Sequence, residues 1–273
     1  MFKKLCAAFA ALLISNLAVA GNGRVIAMGD EWLLSDKAFA DQPAQTQQLA
    51  DNIALFFTDG SPSLLLVLSD AGPIGILGNR GFLGNSLKNR MLALGHTWEV
   101  NPPGFGFTVA ALRNYRGVFL CGNPGSGSAN ASILEAYVAT GGNVMIMAGT
   151  GLIGNNTATA EAGAWNPFLV KFGLSFGTTY FAFRNQQNFL INISALPSTN
   201  PLGESITVVQ WGNGQSVIDL QPENPLNEIA LVGNFVGTMV NPPPSPEQAI
   251  IGTVNITSKC LGDFNLDGFV DDS

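Results

Sequence analysis

Short apolar runs alternate with amphipathic stretches along the first half of the chain, and this alternation predicts a sheet covered by helices. Uninterrupted apolar runs such as Leu64–Leu68 are typical of parallel strands buried on both faces. Between such runs, apolar residues recur at helical spacing. The predicted strands are Arg24–Met28, Leu64–Leu68, Thr97–Val100, Gly117–Leu120 and Asn143–Met147, and the predicted helices are Ala44–Phe57, Leu83–Leu94 and Ala131–Ala139.

The pattern changes after Trp165-Asn166-Pro167, where a short helix at Pro167–Phe172 is followed by β-rich segments. These segments form either a second domain or later strands of the same sheet. We favour one domain over residues 21–257 because no linker separates the halves. The predicted class is α/β: a mostly parallel sheet with helices on both faces and a β-rich C-terminal part. The β-rich segments are Thr178–Phe183, Phe189–Ile193, Ile206–Trp211, Glu228–Val232 and Ile250–Ile256.

The N-terminus has the three parts of a secretory signal peptide. Lys3 and Lys4 form a positive region, Leu5–Ile14 is apolar, and Ala18-Val19-Ala20 is a small-residue cleavage site. The apolar run is shorter than the roughly 20 residues of a membrane-spanning helix, and no later segment is long enough. We therefore expect residues 1–20 to be removed and the protein to be secreted by a bacterium, to the periplasm or outside the cell, without a membrane span.

Composition narrows the classes of partner. Charged residues make up 11% of the 273 residues, against roughly 25% in an ordinary soluble domain. The chain has 12 Lys and Arg against 19 Asp and Glu, which leaves no basic surface for nucleic acid. The 32 Gly and 15 Pro exclude a coiled coil. The composition that is left is typical of a glycine-rich, acidic globular protein with a substantial apolar core.

The stretch Tyr137–Leu174, with Gly141-Gly142 and Gly149-Thr150-Gly151, resembles a secreted bacterial family of unknown function, as does Gly29-Asp30-Glu31-Trp32. The strand order of that family is similar to the class I glutamine amidotransferase-like fold, which is flavodoxin-like. The resemblance implies a nucleophilic Cys on a Gly-x-Cys-x-Gly turn, but Gly149 stands at that position. The single His, His96, lies upstream of it rather than downstream. We therefore expect no glutaminase activity.

Polar residues follow several of the predicted parallel strands, where doubly wound sheets bind ligands. Asp30 and Glu31 follow the first strand and Asp70 the second, with Asn123 and Thr150 at the same rim. Carboxylates there can hold a sugar or a cation, or act as acid and base. The alternative is that they cap the next helix.

Two cysteines remain after signal removal, Cys121 and Cys260, and in an oxidising compartment they could form a disulfide. The alternative is a buried thiol at Cys121, since an apolar strand precedes it. His96, expected at the surface of a helix–strand turn, lies about a strand length from Cys121, which argues against a catalytic dyad. Gly149–Gly154 fits G-x-G-x-x-G but lacks the downstream acid, so no nucleotide is expected.

The C-terminal segment, residues 258–273, resembles the first half of a dockerin type I calcium loop, which is EF-hand-like. Oxygen ligands fall at loop positions 1, 3, 5, 7 and 9, and Gly268 occupies the turn position. The twelfth position would follow Ser273. The alternative is an acidic disordered tail. The predicted Ca²⁺ ligands are Asp263, Asn265, Asp267, the Phe269 carbonyl and Asp271.

These patterns lead to two functional hypotheses. The first is a secreted, non-catalytic binding or structural module, linked to calcium and part of an extracellular assembly with a cohesin-like or cell-surface protein or a polysaccharide. The second is an extracellular carbohydrate-active hydrolase that uses the strand-end carboxylates Asp30, Glu31 or Asp70.

Overall fold

The computed structural model describes residues 23–69, 84–100, 102–121, 130–149, 157–183, 190–236, 240–241 and 246–256. The strands are β1 Arg24–Met28, β2 Leu64–Ser69, β3 Thr97–Val100, β4 Gly117–Cys121, β5 Asn143–Met147, β6 Leu174–Phe176, β7 Phe181–Phe183, β8 Ile191–Ala195, β9 Val208–Trp211, β10 Asn213–Gly214, β11 Val217–Asp219, β12 Asn227–Asn234, β13 Val240–Asn241 and β14 Glu247–Asn255. The α-helices are α1 Asp36–Asp41, α2 Pro43–Thr58, α3 Asn85–Ala93, α4 Val109–Leu112, α5 Ala131–Ala139 and α6 Ala158–Leu169; 3₁₀ helices span Glu31–Leu34 and Val170–Phe172.

One nine-stranded sheet, in the order β3-β2-β4-β5-β1-β14-β12-β8-β9, organises the molecule. From β3 to β1 every neighbouring pair is parallel, and from β1 to β9 every pair is antiparallel. The α/β class with one large sheet is therefore confirmed. Of the later strands, β8, β9, β12 and β14 continue that sheet, whereas β10-β7-β13 and β11-β6 form two small separate sheets. The sheet is less parallel than predicted, because β14 returns antiparallel between β1 and β12.

Alternate residues of β1 supply two apolar cores, one on each face of the sheet. Ile26 and Met28 point into a core that includes residues of α1, α2 and α3. Val25 and Ala27 point into the other, which includes residues of α4, α5 and α6. Burial on both faces explains why the parallel strands are continuously apolar. Helices thus cover both faces, as predicted.

The largest difference from the predicted elements lies before β6. We expected only a short helix at Pro167–Phe172, whereas α6 begins at Ala158, where the Thr157 side chain accepts a hydrogen bond from Ala160 N. Pro167 lies inside this helix and Gly173, at φ 72°, follows the 3₁₀ turn that ends it. The earlier start matters because it places Glu161, which is buried, in the first turn of the helix.

Of the helices within the described ranges, none has both the length and the hydropathy needed to cross a bilayer.

Asp36 provides a stability test because it caps a helix other than its own. Its two carboxylate oxygens accept hydrogen bonds from the backbone N–H groups of Asn85 (3.1 Å) and Ser86 (2.8 Å), at the start of α3. We expect Asp36→Ala to lower the free energy of unfolding by about 1 kcal/mol, measured by urea denaturation. The matched control is Asp41→Ala, which removes an exposed ion pair with Lys37 and is expected to cost about 0.5 kcal/mol or less. Equal losses in the two variants would contradict the capping role.

Candidate functional site

The parallel strands end level with one another, which creates the edge where the sequence places ligand-binding residues. In register, Ser69 of β2 pairs with Cys121 of β4, Cys121 pairs with Met147 of β5, and Met147 pairs with Met28 of β1. Asp30 and Glu31 follow β1 at this edge and are 0% and 1% exposed. Asp70, Asn123 and Thr150 follow the other strand ends in sequence and lie outside the described residues.

Asp30 is held by three backbone N–H groups. Its Oδ1 accepts from Trp32 N (3.0 Å), and its Oδ2 accepts from Gly212 N (2.6 Å) and Asn213 N (3.1 Å). The first bond caps the 3₁₀ helix, as the capping alternative predicted; the other two join β1 to the corner after β9. Burial raises the pKa of Asp30 to about 7, against the opposing effect of these hydrogen bonds and with a further rise from the charge of Glu161.

Glu161 completes the site, although its place in the sequence predicts no functional role. It lies in the first turn of α6 and is 2% exposed. Its Oε2 accepts hydrogen bonds from Gly149 N (3.0 Å), from the Tyr180 hydroxyl (2.7 Å) and from Gln215 Nε2. An acid in a first helical turn is ordinarily a solvent-exposed partner of the helix dipole, so its sequence position alone gave no sign of burial.

Glu31 differs from its two neighbours because neither of its carboxylate oxygens has a hydrogen-bond partner within the described part of the chain. Its backbone is fixed, since Glu31 N donates to the Ala148 carbonyl at 2.8 Å. Burial raises the pKa of Glu31 well above its ordinary value, and the charges of Glu161 and Asp30 raise it further. Asp30, Glu31 and Glu161 are called the carboxylate cluster below.

Two amide oxygens beside the carboxylate cluster are also buried without a partner among the described residues. One is Gln215 Oε1, whose Nε2 donates to Glu161. The other is Asn213 Oδ1, whose backbone N–H donates to Asp30. The unpaired groups here are therefore all hydrogen-bond acceptors, next to buried acids.

The turn that the resemblance compares with a catalytic elbow has no room for a side chain. Gly149 has φ 96°, and a Cβ there would lie 2.7 Å from the Asn213 carbonyl oxygen and 2.9 Å from Asp30 Oδ1. Gly149 N instead donates to Glu161. The turn acts as a hydrogen-bond donor to the carboxylate cluster.

Cys121 is buried and forms no disulfide within the described residues, and its Sγ lies 3.9 Å from the Leu68 carbonyl oxygen. Burial, aided by the charge of Glu31, raises the pKa of this thiol well above its ordinary value, which makes it a poor nucleophile. Its predicted disulfide partner, Cys260, lies outside the described residues, so the pairing is untested.

His96 lies before β3, at the opposite edge of the sheet from Cys121, as the parallel register requires. The expectation that His96 is at the surface was wrong: it is 5% exposed, and burial lowers its pKa. The backbone turn after α3 places it, where His96 N donates a hydrogen bond to the Met91 carbonyl at 3.0 Å.

The predicted calcium ligands, residues 263–271, lie outside the described residues. Among the residues that are described, no group of three or more His, Cys, Asp and Glu side chains is arranged to hold a metal ion. This includes the carboxylate cluster, whose Asp30 oxygens already face three N–H donors.

Comparison with protein-family models, with curated protein sequences and with solved structures found no match to this chain. Its function is therefore inferred from the chemistry of its own residues.

The carboxylate cluster makes stability depend on pH. Because the pKa values of Asp30 and Glu31 are raised in the folded state, folding takes up protons above the unfolded carboxyl pKa of about 4. This stabilisation is fully present below pH 4 and is lost as the pH rises through 7. We expect the free energy of unfolding, from urea denaturation, to fall between pH 5 and pH 8.

Glu31→Gln tests the source of this dependence, because the amide removes the charge while none of the described hydrogen bonds to the carboxylate is lost. We expect the variant to be more stable than wild type at pH 8 by about 1 kcal/mol, and closer to it at pH 5. The same charge change at exposed Glu223 (Glu223→Gln) should alter neither value. Wild-type stability that increases from pH 5 to pH 8 would refute this account. Glu161, Tyr180 and Cys121 are the other titratable groups that interact with the site.

Proposed function

We propose that this chain is a secreted, non-catalytic binding module whose ligand site is the carboxylate cluster at the carboxyl edge of the parallel strands. The observation that carries the proposal is the Glu31 carboxylate, which is 1% exposed and has no partner for either oxygen among the described residues. A buried polar group without a partner costs roughly 1–3 kcal/mol, and more when it is charged. A ligand that donates hydrogen bonds to Glu31 would offset that cost.

The chemistry of the site favours a hydroxyl-rich ligand, such as a polysaccharide. Glu31, Gln215 Oε1 and Asn213 Oδ1 can all accept hydrogen bonds, and sugar hydroxyls supply donors. Asp30 has a different role, because its oxygens already face three backbone N–H groups that fix the fold around the site. Glu31 is thus the residue that would contact the ligand.

The strand order supports the comparison with a flavodoxin-like, amidotransferase-like fold. Such a sheet has the order 2-1-3-4-5, with ligands at the carboxyl ends of its strands. When β2, β3, β4 and β5 are numbered one to four, they lie in the order 2-1-3-4 across the sheet, and β1 lies in the fifth position. The fifth strand thus comes from the N-terminus of the domain. The crowded turn at Gly149 supports a role other than amide hydrolysis.

A hydrolase is the second candidate, because Glu31 and Glu161 have contrasting surroundings. Glu161 accepts three hydrogen bonds through Oε2, whereas burial raises the pKa of Glu31 without any described donor to its carboxylate. Two carboxyl groups in unequal surroundings are what general acid–base hydrolysis of a glycoside requires.

Binding to an immobilised glycan library tests the leading proposal. We expect the chain from residue 21 onward to bind at least one glycan, and Glu31→Ala to weaken that binding about tenfold or more, because it removes the accepting oxygens. Glu223→Ala, which removes an exposed acid elsewhere, should bind as wild type. Near-UV circular dichroism confirms that both variants are folded. Absence of binding to any glycan would refute the proposal. Release of reducing ends by wild type, but not by Glu31→Gln, would replace it with the hydrolase.

Calcium is the proposed cofactor of the C-terminal segment, held by Asp263, Asn265, Asp267, the Phe269 carbonyl and Asp271. Oxygen ligands at these spacings suit Ca²⁺, and the segment would attach the module to a cohesin-like partner or a cell surface. We expect isothermal titration with Ca²⁺ to give a binding signal that is lost in the double variant Asp263→Ala, Asp267→Ala. Asp219→Ala, at an acid remote in sequence, is the control. A wild-type titration without a binding signal would contradict the calcium assignment.

A further inference from the structure

A cavity of about 310 Å³ opens at the amino edge of the sheet, opposite the carboxylate cluster. It lies beside the start of β2, the segment between α4 and β4, and the turn after α5. Its volume reaches the lower end of the range for small-molecule sites. Its walls include Arg113, Asn114, Tyr115, Arg116 and Tyr137.

Arg116 forms a fixed positive wall of this cavity. Its guanidinium donates to the Phe57 carbonyl (3.2 Å), to the Gly141 carbonyl (3.1 Å) and to Asp59 Oδ2 (3.3 Å). These bonds tie the carboxyl ends of α2 and α5 to the sheet. Arg116 is therefore held in place, and Asp59 partly balances its charge.

Arg113 is the second positively charged residue that lines the cavity. Arg113 is exposed, and its side chain forms no hydrogen bond or ion pair with the described residues, although it lines the same cavity. The Asn114 side chain beside it is likewise without a described partner. None of the described residues that line the cavity is Asp or Glu, in a chain that has 19 acidic residues against 12 basic ones. The available polar groups are thus mainly donors, with a positive charge.

Two tyrosine rings give the cavity rigid walls. The Tyr137 hydroxyl donates to the Tyr115 carbonyl at 2.8 Å, and the Tyr115 hydroxyl donates to Glu99 Oε2 at 2.6 Å. The Tyr137 ring lies against Gly142, where a Cβ would come within 2.2 Å of it. Both hydroxyls already have acceptors, and Tyr137 is 1% exposed, so these residues shape the cavity wall and do not supply donors to a ligand.

We propose that this cavity binds a carboxylate-bearing ligand, with the Arg113 guanidinium and the Asn114 amide donating to the carboxylate. A guanidinium presents paired N–H donors that match the two oxygens of a carboxylate. The carboxylate can belong to an acidic sugar or to an acidic peptide. This site is independent of the carboxylate cluster and does not rest on the function proposed for it.

The test is a titration of the ¹⁵N-labelled full chain, followed by the amide signals of Gly141 and Gly142 at the cavity wall. The probes are galacturonate, its neutral counterpart galactose, and an acidic tripeptide of aspartate. We expect galacturonate or the tripeptide to shift these signals, galactose to leave them unchanged, and added salt to weaken binding. The tighter of the two acids identifies the source of the carboxylate.

Arg113→Gln should weaken binding about tenfold or more, because it removes both the charge and the paired donors. Arg113→Lys, which keeps the charge but loses the fork, should bind with intermediate affinity. The control is Lys171→Gln, which removes an exposed positive charge that does not line the cavity, and it should bind as wild type. The proposal is overturned if neither acid shifts the glycine signals, if galactose shifts them equally, or if Arg113→Gln binds with unchanged affinity.

Discussion

The hydrogen bonds that Asp30 accepts from Gly212 N and Asn213 N hold the two halves of the sheet in one arrangement. Asp30 follows β1, the parallel strand that borders the antiparallel half of the sheet. Gly212 and Asn213 follow β9, the antiparallel strand at the far edge. Burying a carboxylate costs less free energy when donors surround it, so chain segments far apart in sequence are held around this one side chain. Trp211, which precedes the corner, is itself fully buried and donates its indole N–H to the Phe181 carbonyl at 2.7 Å.

The same constraint shapes the surroundings of Glu31 and Glu161. Gly149 and Gly214 must be glycines because a Cβ at either position would press against Asp30. Gln215 N donates to the Gly29 carbonyl, and from that position the Gln215 side chain reaches Glu161. Three buried acids within one sheet edge lower the stability of the fold at neutral pH. Such a loss of folding stability is characteristic of functional sites, where side chains are arranged for binding or chemistry at the expense of stability.

The sequence predicts the parallel half closely and the site only in part. Periodicity places β1, β3, β5 and α5 at their observed bounds, because an apolar strand buried on both faces and an amphipathic helix have distinct local patterns. It also places Asp30 and Glu31 at the correct edge. Glu161, by contrast, acquires its role from Tyr180 and Gln215, which are 19 and 54 residues away. No local pattern reports such contacts. The insertion of β14 beside β1 is equally non-local, and so is the burial of His96.

The position of β14 also constrains how the chain can fold during synthesis. This strand pairs with β1 on one side and β12 on the other, and Arg24 faces Asn255 across 231 residues. Until Glu247–Asn255 has emerged from the ribosome, the parallel half and the antiparallel half each keep an unpaired edge at the middle of the sheet. Closing such a distant pair is slow, and open edges favour association with other chains. The chain thus cannot complete its sheet until nearly all of the domain has been synthesised, and until then a chaperone that covers the open edges would protect it from such association.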